Sequence, residues 1–189
     1  MPRTASCRPL IHIYGRLHLT LHDAEDAAKV ALIDCETSNF IVIPRISNDD
    51  KHGQDRQVGE QGFDPSSLTE IFKFDEMIRQ IERKYPSQKL VLCAGRSLLL
   101  QARAAFLVGC HLIISRGTEI EEAYLALERL HGVFDQVLQS NNNGLSVRSC
   151  LSAVYAAKNK VWIDFQERFD AMPAMPRTIQ IDEYMHYAR

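Results

Sequence analysis

The feature that most constrains the fold is one apolar stretch, residues 89–116, with the sequence KLVLCAGRSLLLQARAAFLVGCHLIISR. It starts with a short apolar run that ends at Cys93, and residues 94–97 then interrupt it. Apolar side chains recur over residues 98–114 too densely for a helix with a single buried face, which indicates a helix packed on several sides. The stretch therefore predicts a buried strand, a tight turn and a buried central helix.

The segments around this stretch predict an α/β protein. Residues 10–21 alternate in polarity and predict one or two strands, and residues 30–34 and 40–43 are short apolar strand candidates. Four more helices are predicted. The first begins with Asp64 as N-cap and Pro65 in its first turn and ends at Pro86, and the second begins with a capping box of Thr118 and Glu121 and ends near Gly132. The third covers residues 145–160, and a short fourth covers residues 181–189. The expected fold class is an α/β sandwich in which about five helices flank a small mixed β-sheet.

Other segments are predicted to be loops or to seal the core. Residues 1–9 are polar and basic and should be disordered. Residues 45–62 form the most hydrophilic stretch and predict a long, mobile insertion loop, and residues 136–144 predict a polar loop. Residues 162–169 hold the only tryptophan, Trp162, with two phenylalanines, and we expect them to plug the core.

Composition argues against several kinds of partner. The chain is 46% hydrophobic and 24% charged with a net charge of −2, which gives no electrostatic reason to expect nucleic acid. No apolar run reaches the ~20 residues that span a membrane. Five widely spaced cysteines without a Cys-x-x-Cys pair argue against a zinc site or a disulfide framework. We expect a reduced, intracellular protein of the cytoplasm or nucleus, without a cofactor.

One histidine pair offers a weak metal hypothesis. His18 and His22 lie in or near the first predicted strands, on the polar phase of the alternation. Two histidines on the surface of a strand are more often ordinary solvated side chains than metal ligands. We therefore predict no metal site.

Cys93 stands where a cysteine-dependent phosphatase places its nucleophile, between a strand and a helix. That chemistry needs a thiolate at a helix N-terminus, five residues that wrap their amides round the phosphoryl oxygens, and an arginine that closes the ring. Counted from Cys93, the arginine position is Leu99, Leu92 stands in place of the preceding histidine, and Arg96 is too near to close a ring. The degenerate loop comprises Cys93, Ala94, Gly95, Arg96, Ser97, Leu98 and Leu99. Its pattern favours a buried structural thiol over a catalytic one.

Seven stretches carry a resemblance to a known family. They are residues 16–19 (RLHL), 30–36 (VALIDCE), 65–74 (PSSLTEIFKF), 104–109 (AAFLVG), 118–127 (TEIEEAYLAL), 163–165 (IDF) and 182–187 (DEYMHY). In order and spacing they resemble the N-terminal domain of dual-specificity phosphatases of the cell-division-cycle-fourteen type, which drive mitotic exit. The resemblance covers most of residues 14–187. It implies a phosphatase-like fold of two or three layers over residues 10–189, followed by a catalytic domain that these residues lack.

The resemblance also implies a function. In that family the N-terminal domain has an inactive loop, stabilises the catalytic domain in cis and helps form an acidic groove for phosphoprotein substrates. Asp135 and Glu183 are similar to acids of that groove, whereas Met185 stands where the family has a further glutamate. Two alternatives stay open: a stand-alone pseudophosphatase that binds partners through residues 45–62 or the C-terminus, and a phosphatase that uses Cys93.

Overall fold

The computed structural model describes residues 10–22, 26, 28, 40–43, 65–140, 145–160, 162 and 163, with the side chains of residues 138–140 left out. Several sequence predictions lie outside these residues. They concern residues 1–9, the strand over 30–34, the insertion loop over 45–62, Asp64, the end of the polar loop over 141–144, and everything after residue 163, which includes Glu183.

A mixed four-stranded sheet stands at the centre of the described residues. The strands are β1 (Ile11–Tyr14), β2 (Leu17–Thr20), β3 (Phe40–Ile43) and β4 (Lys89–Cys93), in the order β1-β2-β4-β3. β1 and β2 form an antiparallel hairpin that turns at Gly15, whose φ of 51° suits glycine. β4 runs parallel to both β2 and β3. These strands confirm the predictions for residues 10–21, 40–43 and 89–93.

Five α-helices complete the described fold. They are α1 (Leu68–Lys84), α2 (Leu98–Ile114), α3 (Ile120–Ala126), α4 (His131–Ser140) and α5 (Val147–Asn159). α2 is the central helix: residues 105–114 are all buried, and it contacts each of the other four helices. The described residues therefore form an α/β fold with a small mixed sheet and five helices, which is the fold class that the sequence predicted. No helix among the described residues is long and apolar enough to cross a membrane.

The start of α1 differs from its prediction. Ser67, and not Asp64, is the N-cap: its Oγ accepts the Glu70 N–H at 3.3 Å, and Glu70 Oε2 accepts the Ser67 N–H at 3.0 Å. This reciprocal capping box satisfies two amides at once, which a single aspartate cap does not do. The predicted end is confirmed, since the helix stops at Lys84, two residues before Pro86.

The predicted capping box at Thr118 is wrong. α3 follows Glu119 and has no side-chain cap. Thr118 instead closes the preceding helix: its N–H donates to Leu112 O at 3.0 Å, directly after Gly117, which has a φ of 70°. A left-handed glycine followed by a long backward hydrogen bond is a common helix C-terminus, and it uses Thr118 before α3 begins.

The region after α3 also differs. The predicted helix to Gly132 stops at Ala126, a short 3-10 turn follows over Glu128–Leu130, and α4 then passes through Gly132. α4 continues to Ser140, so the predicted polar loop is wrong for residues 136–140. Phe134 and Val137, three residues apart on one face of α4, are both buried, and this apolar contact stabilises the helix despite its polar sequence.

Trp162 does not plug the core. Its side chain is 70% exposed, whereas its neighbour Ile163 is only 8% exposed. The Trp162 N–H donates to Ala157 O at 2.9 Å, and the Lys160 Nζ lies 4.9 Å from the centre of the indole ring. The chain leaves α5 in a direction that buries Ile163 in place of the tryptophan. The partners expected for it, Phe165 and Phe169, lie outside the described residues.

Candidate functional site

The predicted degenerate loop lies where β4 passes into α2. Cys93 is the last residue of β4 and is 2% exposed, which confirms that it is buried. The Ala94 N–H donates to Thr20 O at 2.9 Å, and the Gly95 N–H donates to His22 O at 3.3 Å. A phosphate loop would direct such amides at its ligand. Here the end of β2 and the residues after it already bind both of them.

The carbonyl groups of the same turn are held by a buried side chain, Gln101. Its Nε2 donates to Gly95 O and to Arg96 O, each at 3.2 Å. Gly95 has a φ of 84°, a conformation that glycine adopts without strain. The sequence analysis did not single out Gln101, although a glutamine within an otherwise apolar helix was the available signal. The turn is therefore fixed by internal hydrogen bonds on both sides.

The cation that would close a phosphate loop is missing from its expected place. Leu99 is partly buried and carries no charge, and Ser97 makes no side-chain hydrogen bond as N-cap of α2. Arg96 is exposed and forms an ion pair with Asp26. Thr20 Oγ1, His22 Nε2 and Gln101 Oε1 are buried here and have no hydrogen-bond partner among the described residues. A hydroxyl, an imidazole nitrogen and an amide oxygen, the last of which can only accept a hydrogen bond, do not replace the charge-assisted, bidentate hold of an arginine.

Two other cysteines lie farther along the central core. Burial raises the pKa of Cys110 well above its ordinary range, and the nearby Cys150 and Asp75 raise it further. Burial also raises the pKa of Cys150. A thiol with a raised pKa is a poor nucleophile at neutral pH. Neither cysteine offers a substitute for Cys93.

The two predicted groove acids are not brought together by the described residues. Asp135 lies on the exposed side of α4, two residues before the buried Val137. Glu183 lies beyond the described part of the chain. Their joint role in a substrate groove stays a prediction.

The histidines near β2 make structural contacts. His18 Nδ1 donates to Arg16 O at 2.9 Å, and its ring packs edge-on against that of His12 with centroids 5.1 Å apart. Within residues 10–22, 40–43 and the other described segments, no cluster of three or more His, Cys, Asp or Glu side chains could hold a metal ion.

Comparison with known proteins points to one class. No protein-family model matches the chain. The chain is similar to a dual-specificity phosphatase. It is 28% identical over 138 residues to dual specificity protein phosphatase CDC14C of Symphalangus syndactylus, a match that covers 68% of this chain and 26% of that phosphatase. The chain thus spans about a quarter of the length of the relative it matches. This similarity supports a relation to that class, and the observed α/β architecture is compatible with a phosphatase-like fold.

Proposed function

We propose that this chain is a non-catalytic N-terminal domain of a dual-specificity protein phosphatase. It stabilises a catalytic domain in cis and forms one wall of the groove that receives cell-cycle phosphoproteins. The observation that carries this proposal is the junction of β4 and α2, where the amides of Ala94 and Gly95 are already bonded and Leu99 takes the place of an arginine.

The missing arginine and the bonded amides argue against phosphoryl transfer at Cys93, because each lowers the stabilisation of the transferred group. Phosphoryl transfer depends almost entirely on positioning and on electrostatic stabilisation of the transferred group. In enzymes that stabilise a developing oxyanion, removing a single donor lowers kcat by roughly 10²–10³-fold. This junction lacks an arginine at residue 99, and two of its amides are already bonded to Thr20 and His22. Together these differences leave too little stabilisation for useful turnover.

The surface after α5 supports a role in contacts with another domain. Trp162 is a large apolar side chain that stands in solvent directly after this helix. Covering an exposed aromatic side chain contributes about 1.5–3 kcal/mol, so such residues are common at interfaces. A catalytic domain that covers Trp162 gains this contribution.

The test compares this chain with the full product of its gene, using p-nitrophenyl phosphate and a phosphoserine-proline peptide as substrates. We expect no turnover by residues 1–189 alone, and turnover by the longer protein that is unchanged by Cys93→Ser. Cys150→Ser, which alters a partly exposed thiol of α5, is the matched control.

Two results would favour the other hypotheses. Turnover by residues 1–189 that disappears only in Cys93→Ser would establish a phosphatase that uses Cys93. A gene product without a His-Cys-x5-Arg loop that also lacks activity would favour the stand-alone pseudophosphatase.

A further inference from the structure

A basic cleft lies at the other end of the sheet from the junction of β4 and α2. It has a volume of about 450 Å³ and lies between the β1–β2 turn, the C-terminal half of α1 and the residues after α2. Its lining residues are Tyr14, Gly15, Arg16, Arg79, Glu82, Arg83 and Arg116. Because β2 and β4 are parallel, Arg16 lies at the start of both strands, whereas Cys93 lies at their end. We call this feature the arginine cleft.

Arg16 is fixed in the cleft by the end of α1. Its Nη1 donates to Tyr85 O at 2.5 Å and to Gln88 O at 2.7 Å, and its Nη2 donates to Glu82 O at 3.4 Å. These carbonyl groups use some of its N–H donors, but a neutral carbonyl does not cancel the charge of the guanidinium. The cleft therefore contains one partly buried positive charge whose position does not depend on a ligand.

The other arginines add charge around this fixed group. Arg116 forms an ion pair with Glu82, and its guanidinium carbon lies 5.5 Å from the centre of the Tyr14 ring. Arg83 is exposed at the rim. Among the residues that the structure describes, four guanidinium groups and one carboxylate thus line the cleft.

The carboxylates behind the cleft do not remove this excess. Arg79 contacts Asp75 at 2.9 Å and Glu76 at 2.8 Å. With these two acids counted, four arginines face three carboxylates among the described side chains, in a chain whose net charge is −2. The arginine cleft is a local concentration of positive charge.

From this arrangement we infer that the arginine cleft binds a phosphoryl dianion. Guanidinium groups hold phosphate through paired, planar hydrogen bonds, and several of them match a doubly charged group better than a single carboxylate. A volume of about 450 Å³ lies within the usual range for ligand sites and accommodates a phosphorylated side chain with its neighbours. No cysteine, serine or histidine is among the described residues that line the cleft, and the inference concerns binding and not hydrolysis. It goes beyond the proposed function and does not depend on it.

The chain supplies a matched pair of arginines for the test. Arg148 of α5, like Arg116, pairs with one carboxylate, Glu121, and lies over one tyrosine ring, Tyr124, at 5.0 Å. Arg116→Gln and Arg148→Gln therefore remove the same kinds of contact, but only the first changes the cleft. Circular dichroism and thermal unfolding establish that both variants are folded.

Isothermal titration calorimetry at low salt then measures binding of inorganic phosphate, a short phosphoserine peptide and its unphosphorylated form. We expect the parent chain to bind a phosphorylated probe and not to bind the unphosphorylated peptide. Arg116→Gln should weaken binding about tenfold or more, since a hydrogen bond to a charged group is lost and Glu82 is released. Arg148→Gln should bind like the parent. If Arg116→Gln fails to fold, Arg83→Gln replaces it, because that side chain is exposed.

Each outcome bears on the inference. Phosphopeptide binding tighter than that of inorganic phosphate identifies a phosphorylated protein as the source, and equal affinities identify a free phosphate compound; both support the site. The inference is overturned if no phosphorylated probe binds. It is also overturned if Arg116→Gln and Arg148→Gln lose the same amount of affinity for the phosphorylated probe. Cys93→Ser should not change this binding, so the result is separate from the activity test of the proposed function.

Discussion

His111 Nδ1 donates a hydrogen bond of 2.7 Å to Asp75 Oδ1 in the interior of the protein, where the two side chains are 1% and 0% exposed. Ser115 Oγ donates to the same oxygen at 2.6 Å. Arg79 Nε lies 2.9 Å from Asp75 Oδ2. This distance allows an ion pair, although the two atoms do not have the geometry of a hydrogen bond. One buried carboxylate thereby connects α1 with the C-terminal end of α2.

Asp75→Ala should be strongly destabilising. It leaves the buried His111 and the partly buried Ser115 without their acceptor, and loss of one partner of a buried charged group typically costs about 3–5 kcal/mol. Glu76→Ala is the control, because it removes a more exposed partner of Arg79 and should cost less than about 1 kcal/mol. Urea unfolding of the two variants and the parent measures both values. Equal losses in the free energy of unfolding for Asp75→Ala and Glu76→Ala would show that the buried hydrogen bonds of Asp75 add no stability beyond that of a more exposed ion pair.

Gly109→Ala should destabilise the chain, although alanine favours helices. A Cβ at residue 109 of α2 would lie 2.7 and 2.9 Å from the two Cδ atoms of Leu151 on α5, which is fully buried. Overpacking typically costs about 1–3 kcal/mol, and the gain in helix propensity offsets about 1 kcal/mol of it. We expect a net loss of about 1 kcal/mol in thermal or urea unfolding.

Gly132→Ala is the matched control for this change. Gly132 lies in α4, and a Cβ there would meet no atom within 4 Å. The helix-propensity gain should then appear alone, as a stabilisation of about 0.5 kcal/mol. If both substitutions stabilise the protein, the contact between α2 and α5 is looser than the structure indicates.

Trp162→Ala should change the stability of this chain by less than about 1 kcal/mol, because the indole is mostly in solvent. A tryptophan that plugged the core would instead cost roughly 3 kcal/mol on truncation to alanine, because that cost applies to a buried aromatic side chain. Leu151→Ala, in the helix α5 that precedes Trp162, should cost about 2–5 kcal/mol, since Leu151 is fully buried. Denaturant unfolding compares the two. A loss in Trp162→Ala as large as that in Leu151→Ala would contradict the exposed position.

His18 should make the fold less stable in mild acid. Burial lowers its pKa below the ordinary 6.5; the backbone hydrogen bond to Arg16 acts in the opposite direction, and His12 and Lys89 lower it further. Between the lowered pKa and 6.5 the unfolded chain binds more protons than the folded one, so stability is complete above about pH 6.5 and is lost as the pH falls. Urea unfolding from pH 8 to pH 5 should show a smaller acid loss in His18→Gln. Parallel curves for the variant and the parent would count against this.

Cys93 should be protected from alkylation in the folded protein. Its side chain is buried at the end of the central strand. The side chain of Cys110 in α2 is also buried, whereas that of Cys150 is partly exposed. Among the three cysteines that the structure describes, iodoacetamide treatment followed by peptide mass spectrometry should label Cys150 first, and Cys93 at a rate that follows global unfolding. Labelling of Cys93 as fast as in denatured protein would show a reactive thiol.

The sequence alone determined the features that depend on local pattern and on counting. The density of apolar residues over 98–114 identified the central helix, and the alternation over 10–21 predicted the strand structure that forms β1 and β2. Counting from Cys93 to Leu99 predicted a degenerate loop. Each of these rests on residues close together in the chain, whose spacing directly reflects helix and strand geometry.

Only the tertiary structure decided which distant segments meet. The burial of Asp75 against His111, the hold of Gln101 on the turn after β4 and the exposure of Trp162 all depend on packing between elements. The same holds for the arginine cleft, whose arginines come from the β1–β2 turn, α1 and the residues after α2. The free energy of a buried hydrogen bond or a clustered charge is set by neighbours in space, and spacing along the chain does not specify those neighbours.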